Sequence, residues 1–116
     1  MPVGDGGPIV RLSPAERPDD FVRHTTEGAI IVQRAPRDLA ATQFRFEARA
    51  DGTEVLRSVD RPDRLLGAAM VLDATPLPLR REVGRTGLKL RSEAGYLRVS
   101  GSTISVGSSG TVFRLS

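Results

Sequence analysis

Apolar and polar residues alternate with a period of two along most of the chain. This pattern puts every second side chain on one face of an extended segment and predicts half-buried β-strands. The clearest examples are residues 44–46, 88–90, 96–99, 104–106 and 112–115. Gly, Pro and Asp-rich turn signals separate them, which gives about twelve short strands. Only residues 36–41, which begin with Pro36, predict a single helical turn. The sequence therefore predicts an all-β protein.

A search for internal similarity finds three related segments. Residues 12–24 align without gaps on residues 56–68, with Arg-Pro-Asp at the same place in both. Residues 90–99 form a third copy with a short deletion, and they share Leu-Arg-Ser with the second. The copies open on three leucines spaced by 44 and 34 residues, Leu12, Leu56 and Leu90. They close on three apolar anchors spaced by 35 and 34 residues, Phe44, Leu79 and Phe113. The first copy therefore carries about nine extra residues.

Three units of four strands each predict a β-trefoil with pseudo-threefold symmetry, because one such unit cannot bury its apolar face alone. We expect a flexible N-terminal tail at residues 1–7, a single domain at residues 8–116, and repeats at about 8–50, 51–84 and 85–116. The opening leucines and the closing anchors are the predicted core. A second layer is predicted to contain Phe21, Leu65 and Tyr96. A three-bladed propeller is the competing repeat fold, but such a small number of blades would be unusual.

Composition limits the chemistry. There is no cysteine and only one histidine, so disulfides, thiolate zinc sites and multi-histidine metal sites are excluded. No apolar stretch approaches the ~20 residues of a membrane-spanning helix, and the N-terminus lacks the regions of a signal peptide. We therefore expect no membrane partner, and a cytoplasmic location if the chain is full length. A monomer without a cofactor is expected.

The net charge of +3 is unevenly distributed. Residues 74–116 contain only Glu82 and Glu93 as acids, against seven basic residues. Such a segment could bind an anionic polymer, although a solvated arginine-rich surface is the simpler interpretation. Nucleic acid is not the favoured partner, because the chain has few aromatic residues on which bases could stack.

The amino-acid sequences of the repeats resemble those of a known protein family. Residues 17–24 and 51–64 are similar to the β-trefoil domain of fungal and actinobacterial α-L-arabinofuranosidases, the AbfB family, or carbohydrate-binding module family 42. Its repeats follow approximately the pattern LRSVNxPGRYLRH, then LD, then DATF. The resemblance extends over nearly the whole chain from Ile9 onward. It implies a secreted, non-catalytic module that binds arabinofuranose-containing polysaccharide or small sugars, and a linked glycoside hydrolase domain as partner.

The resemblance also implies site residues. His24 matches the histidine of the LRH motif, whereas Ala68 and Val99 occupy the equivalent positions in the other copies. Asp73 matches the aspartate of the LD strand. The DATF aspartate falls on Ala41 in the first copy, with Asp38 three residues upstream. The resemblance therefore implies one partly retained sugar pocket, in the first repeat.

Two aromatic residues complete the candidate carbohydrate-binding set: Phe21 and Tyr96 could stack on a sugar face, although their alignment with Leu65 favours packing. A lone histidine is also more often a structural hydrogen-bonding residue than a ligand contact. Asp19 and Asp20 form a carboxylate pair of the type that glycosidases use, but adjacent side chains in a turn diverge. With no nucleophile elbow and no phosphate-binding glycine loop, the sequence predicts that the chain is not an enzyme.

Three functions remain open at this point. The favoured one is a carbohydrate-binding module with weak affinity, since few polar contacts are available. The second is a degenerate trefoil that serves as a structural or protein-interaction domain, because the second and third copies lack the pocket histidine. The third is polyanion binding through the basic C-terminal third, where Arg80, Arg81 and Arg85 would contribute.

Overall fold

A computed structural model describes residues 7–116 of the chain. The expected N-terminal tail therefore lies outside the described residues, except for Gly7. The Gly7 N–H donates a hydrogen bond to the Phe46 carbonyl oxygen at 2.9 Å. The described part is all-β, with thirteen short strands, one 3₁₀ turn and no α-helix. The predicted secondary-structure class is confirmed.

The strands follow one another along the chain with short connections. They are β1 Ile9–Val10, β2 Leu12–Pro14, β3 Asp20–His24, β4 Ile30–Arg34, β5 Phe44–Ala48, β6 Glu54–Ser58, β7 Leu65–Leu66, β8 Leu72–Asp73, β9 Arg80–Val83, β10 Leu88–Ser92, β11 Gly95–Ser100, β12 Thr103–Gly107 and β13 Phe113–Leu115. Arg11 alone separates β1 from β2, which therefore form two halves of one extended segment.

Six extended segments pair edge to edge in a closed ring. β1 pairs with β5 and β5 with β6, and the bridge between Glu54 and Leu79 connects β6 to the chain just before β9. β9 pairs with β10, β10 with β13, and β13 with β2. Because β2 continues from β1, this series of antiparallel pairs returns to its start. A closed ring satisfies backbone groups that would otherwise lie on a free sheet edge.

Each sequence copy also contributes a hairpin that lies outside the ring. The hairpins are β3–β4, β7–β8 and β11–β12. The first hairpin is bonded to the second, because the Ile30 N–H donates to the Met70 carbonyl oxygen at 2.8 Å. It is bonded to the third through the Val32 N–H and the Ser102 carbonyl oxygen at 2.9 Å. Contacts between the copies therefore involve the hairpins as well as the ring.

The core lies at the centre of this arrangement. The six predicted core residues are each 2% exposed or less and belong to one hydrophobic cluster: Leu12, Leu56, Leu90, Phe44, Leu79 and Phe113. Burial of each such side chain stabilises the fold by about 1.5–3 kcal/mol relative to its exposure to water. The prediction that corresponding apolar residues of the three copies share one core is confirmed.

The predicted second layer is only partly present. Leu65 is buried, at 7% exposure, whereas Phe21 and Tyr96 are half-buried. None of the three belongs to the central cluster. Each aromatic ring instead has a cationic side chain next to it, Arg11 at 3.9 Å from the Phe21 ring centre and Lys89 at 5.8 Å from that of Tyr96. The alignment with Leu65 therefore did not predict their degree of burial.

The extra residues of the first copy lie between β4 and β5. They begin at Ala35, whose φ of 44° is in the left-handed region, and end in the 3₁₀ turn Ala40–Thr42. This turn overlaps the helical turn predicted at residues 36–41. Thr42 is fully buried, and its hydroxyl donates to the Leu39 carbonyl oxygen at 2.6 Å and accepts from Arg11 Nε at 2.9 Å. The insertion is thereby attached to the β1–β2 segment.

Candidate functional site

His24, the residue that carried the sugar-pocket prediction, lies at the end of β3 and is only 3% exposed. Its Nδ1 is 2.9 Å from the Thr25 carbonyl oxygen, and its Nε2 is 2.9 Å from Oδ2 of Asp60. Each ring nitrogen thus has an oxygen of the chain itself at hydrogen-bond distance. The polar atoms of His24 are therefore used within the chain.

The turn after β6 covers the end of the first hairpin around His24. Arg61 follows Asp60 and donates from Nη2 to the Thr26 carbonyl oxygen at 2.8 Å. The turn is itself fixed by the Arg61 N–H, which donates to Ser58 Oγ at 3.0 Å. Ser58 is fully buried. Two adjacent side chains of the second copy thus contact the end of the first hairpin: Asp60 contacts His24, and Arg61 contacts Thr26.

The other two candidate acids have local roles in turns. Asp38 is exposed, and its Oδ1 accepts from the Ala41 N–H at 3.4 Å, before the 3₁₀ turn. Asp73 is exposed at the end of β8, where its Oδ1 accepts from the Thr75 N–H at 3.2 Å. Aspartate commonly accepts from a backbone N–H two or three residues further on, so these contacts are typical of turns.

The two aromatic candidates have different surroundings. The Arg11 guanidinium lies over the face of Phe21, so one face of this ring is in contact with the chain itself. The Tyr96 hydroxyl donates to Glu82 Oε1 at 2.8 Å. This hydrogen bond, together with burial and the Glu82 charge, raises the pKa of Tyr96 above 10.0.

The five candidates do not belong to one hairpin. Phe21 and His24 lie on β3, Asp73 lies on β8, and Tyr96 lies on β11. Asp38 is in the connection between β4 and β5. Phe21 and His24 share a strand but contact different side chains. Phe21 packs against Arg11, and His24 is bonded to Asp60.

The structure also contains a cleft that the sequence did not predict as a site. It has a volume of about 610 Å³ and is formed by the β5–β6 turn, the chain before β9 and the β10–β11 turn. Four charged residues line it, Asp51, Arg80, Arg91 and Glu93. Leu77 and Pro78 contribute the apolar part of its wall. We call it the Asp51–Glu93 cleft.

The charged groups of this cleft differ in how they are bound. Asp51 accepts through Oδ1 from the Thr53 N–H and hydroxyl, and these two hydrogen bonds lower the pKa of Asp51 below 3.8. The Arg91 Nε lies 3.4 Å from Glu82 Oε2. Among the described residues, Arg80 has one hydrogen-bond contact, a long one of 3.5 Å from Nη2 to the Asp51 carbonyl oxygen. Within residues 7–116, Glu93 forms no ion pair.

The basic C-terminal third is partly neutralised by acids. Arg81 donates to both carboxylate oxygens of Glu54, at 2.6 and 2.7 Å, and lies 4.4 Å from the ring centre of Phe46. The hydrogen bond to Glu54 raises the pKa of Arg81 above its ordinary value. Arg85 and Arg114 share a second, smaller cleft with Glu16. These contacts leave fewer free guanidinium groups than the sequence composition indicates.

The described residues contain no group of three or more acidic, histidine or cysteine side chains that could hold a metal ion. In the same part of the chain, no helix has the length and apolarity required to cross a membrane.

Sequence reasoning missed the cleft because its acids lie in turns. Asp51 precedes Gly52, and Glu93 precedes Ala94 and Gly95, so both were interpreted as turn residues. Both residues do lie in turns, but a turn signal in the sequence does not indicate which turns lie close together in the folded protein. The ring order brings β5, β6, β9 and β10 side by side, and only this order juxtaposes the two turns.

Comparison with known proteins gives no family assignment. No protein-family model matches the chain, and no curated protein matches it.

Proposed function

We propose that the chain is a β-trefoil and that it acts as a non-catalytic carbohydrate-binding module of the AbfB type. The closed ring of six segments supports the trefoil, together with one hairpin for each sequence copy. The shared core of the opening leucines and closing anchors supports it as well. Similar repeats with equivalent packing are the expected outcome of pseudo-threefold symmetry.

Carbohydrate binding is the function that this architecture and the repeat motifs favour together. The observation that carries the proposal is the match of residues 17–24 and 51–64 to the repeat pattern of the arabinofuranose-binding domains, on an all-β chain in which each sequence copy contributes a hairpin. Binding would be weak, because a shallow site offers few contacts against the entropy lost on association. A linked glycoside hydrolase would supply any catalysis.

A titration followed by NMR tests this proposal. Uniformly ¹⁵N-labelled protein would be titrated with L-arabinose and with arabinoxylan oligosaccharides, and with D-glucose as the control sugar. We expect saturable shifts of a contiguous set of amides with the arabinose-containing ligands. No shift up to roughly 100 mM ligand would contradict carbohydrate binding, because a dissociation constant above that value corresponds to less than about 1.4 kcal/mol of binding free energy.

A degenerate trefoil that serves as a structural or interaction domain is the second candidate. The observation that favours it is the use of both His24 ring nitrogens by Thr25 and Asp60, which leaves no polar atom of this ring for a ligand. This candidate predicts that arabinose-containing ligands cause no shifts. It also predicts that a partner would cover exposed apolar side chains such as Leu39 or Val83, which are 54% and 78% exposed.

A further inference from the structure

Local hydrogen bonds order two walls of the Asp51–Glu93 cleft. Gly52 allows the β5–β6 turn a φ of +87°, and Asp51 Oδ1 holds the same turn through Thr53. On the opposite side, Ser92 Oγ accepts from the Ala94 N–H at 3.2 Å and donates to the Gly95 carbonyl oxygen at 3.0 Å. A site whose walls are already ordered loses less entropy when a ligand binds.

One wall is also fixed by close backbone packing. A side chain at Gly95 would place its Cβ only 2.5 Å from the Gly107 carbonyl oxygen, so β11 and β12 approach each other closely here. The start of β11 therefore cannot move away without breaking the β11–β12 pair. This wall carries Glu93, whose side chain is exposed and forms no ion pair within the described chain.

The charges of the cleft indicate a neutral ligand. Two carboxylates, of Asp51 and Glu93, and two guanidinium groups, of Arg80 and Arg91, line the cleft. The formal charges of these four lining residues sum to zero. Because the two carboxylates offset the two guanidinium groups, the cleft has no excess positive charge that would favour a phosphate or a uronate. A neutral molecule with several hydroxyls could instead donate to the carboxylates and accept from the guanidinium groups.

The volume of the cleft and the apolar part of its wall further restrict the class of ligand that would fit. Sites for small molecules span about 300–1,000 Å³, and this cleft has about 610 Å³. Leu77 and Pro78 provide an apolar surface next to the charged groups, suited to the C–H face of a sugar ring. No aromatic side chain lines the cleft, so stacking does not select the ligand there.

From these features we infer that the Asp51–Glu93 cleft is a binding site for a neutral sugar of one or two rings. The inference rests on the proposed carbohydrate-binding function and moves the site away from His24. Glu93 and Asp51 accept hydrogen bonds from ligand hydroxyls, and Arg80 donates to a ligand oxygen. The apolar C–H groups of the ring lie against Leu77 and Pro78.

The experiment combines amide mapping with matched variants. Wild-type protein would be titrated with L-arabinose, D-galacturonate and inorganic phosphate. We expect the neutral sugar to shift amides at residues 51–53 and 91–95. Glu93→Gln and Arg80→Gln together should weaken binding roughly tenfold, because each removes a charged hydrogen-bonding partner. Glu16→Gln with Arg85→Gln, in the smaller cleft, makes the same chemical changes and should leave the affinity unchanged.

The possible outcomes separate this inference from the proposed function. Shifts centred on residues 24–26 and 60–61, with unchanged affinity in the cleft variant, would overturn the cleft and retain carbohydrate binding. Shifts in the cleft with galacturonate or phosphate, but not with the neutral sugar, would overturn the assigned ligand class. No shifts with any sugar would overturn the cleft and the proposed function together. Unchanged amide spectra away from the substituted residues would establish that the variants are folded.

Discussion

Nε2 of His24 and Oδ2 of Asp60 lie 2.9 Å apart, although 36 residues separate them in the sequence. His24 belongs to the first copy and is buried, whereas the Asp60 side chain is 37% exposed and belongs to the second copy. The contact therefore joins two copies through polar side chains, at a place where the family resemblance implied a sugar pocket. In this chain the histidine stabilises the contact between neighbouring units.

Removal of His24 should destabilise the protein. In His24→Ala, the Thr25 carbonyl oxygen and Asp60 lose their partner, and we expect a loss of about 1–3 kcal/mol in the free energy of unfolding. Urea denaturation of His24→Ala, Asp60→Ala and the double variant would measure the coupling, expected at about 0.5–3 kcal/mol. Asp63→Ala, whose side chain is 81% exposed, is the matched control and should change stability little. Additive losses would contradict a direct interaction.

Tyr96 should ionise at a pH above 10.0 because its hydroxyl donates to Glu82. The folded pKa is raised, so the stabilisation is fully present below pH 10.0 and is lost as the pH rises through the folded pKa. The chain has one tyrosine and no tryptophan, so tyrosinate absorbance reports this residue alone. Glu82→Gln should lower the Tyr96 pKa. Glu93→Gln is the control and should leave it near the wild-type value.

The β5–β6 turn should weaken in acid. Hydrogen bonds from Thr53 lower the Asp51 pKa below 3.8, so their stabilisation is present above pH 3.8 and is lost as the pH falls through the folded pKa. Thr53→Val removes the hydroxyl donor and should raise the Asp51 pKa toward 3.8, which NMR titration of the carboxyl carbon would measure. Thr75→Val, in another turn, should not change it. An identical Asp51 titration in both variants would contradict this account.

The sequence predicted the fold better than the site, for a physical reason. Alternation and repeat spacing identify which side chains must be buried, and Leu12, Leu56 and Leu90 are buried as expected. An apolar side chain that recurs at every second position of a strand is expected to be buried, whatever its neighbours in space. The partner of His24 could not be obtained in this way, because Asp60 lies in a turn whose position depends on the whole ring. For the same reason the sequence did not show that the turns that hold Asp51 and Glu93 line one cleft.

Ala35 should benefit from replacement by glycine. Its φ of 44° costs an L-residue about 1–2 kcal/mol, whereas glycine adopts this region freely but loses more backbone entropy. We expect Ala35→Gly to raise the free energy of unfolding by up to about 1 kcal/mol. Ala48→Gly, at an exposed position within β5, should lower it by roughly 0.5–1 kcal/mol. Thermal denaturation of both variants would show opposite shifts in Tm, and shifts of the same sign would contradict the expectation.

Leu56 should be among the most sensitive core positions. It is 1% exposed within the central cluster, so Leu56→Ala removes packed methyl groups and leaves a cavity. We expect a loss of about 2–5 kcal/mol, measured by urea denaturation. Val83→Ala provides the exposed control, since Val83 is 78% exposed, and should change stability by less than about 0.5 kcal/mol. Similar losses in the two variants would contradict the central position of Leu56.

The ring is closed by the pairing of β13 with β2, and Arg11 and Ser116 exchange two backbone hydrogen bonds at 2.9 and 3.0 Å. Positions far apart in the sequence are thus neighbours in space, and a peptide linker from Ser116 to Gly7 would need only to run alongside β1. The chain could then be reopened at an exposed turn such as Gly84–Arg85, between β9 and β10, to give a circular permutant with the same strand neighbours. In such a permutant the order of synthesis changes, but the side chains that meet in the core remain the same.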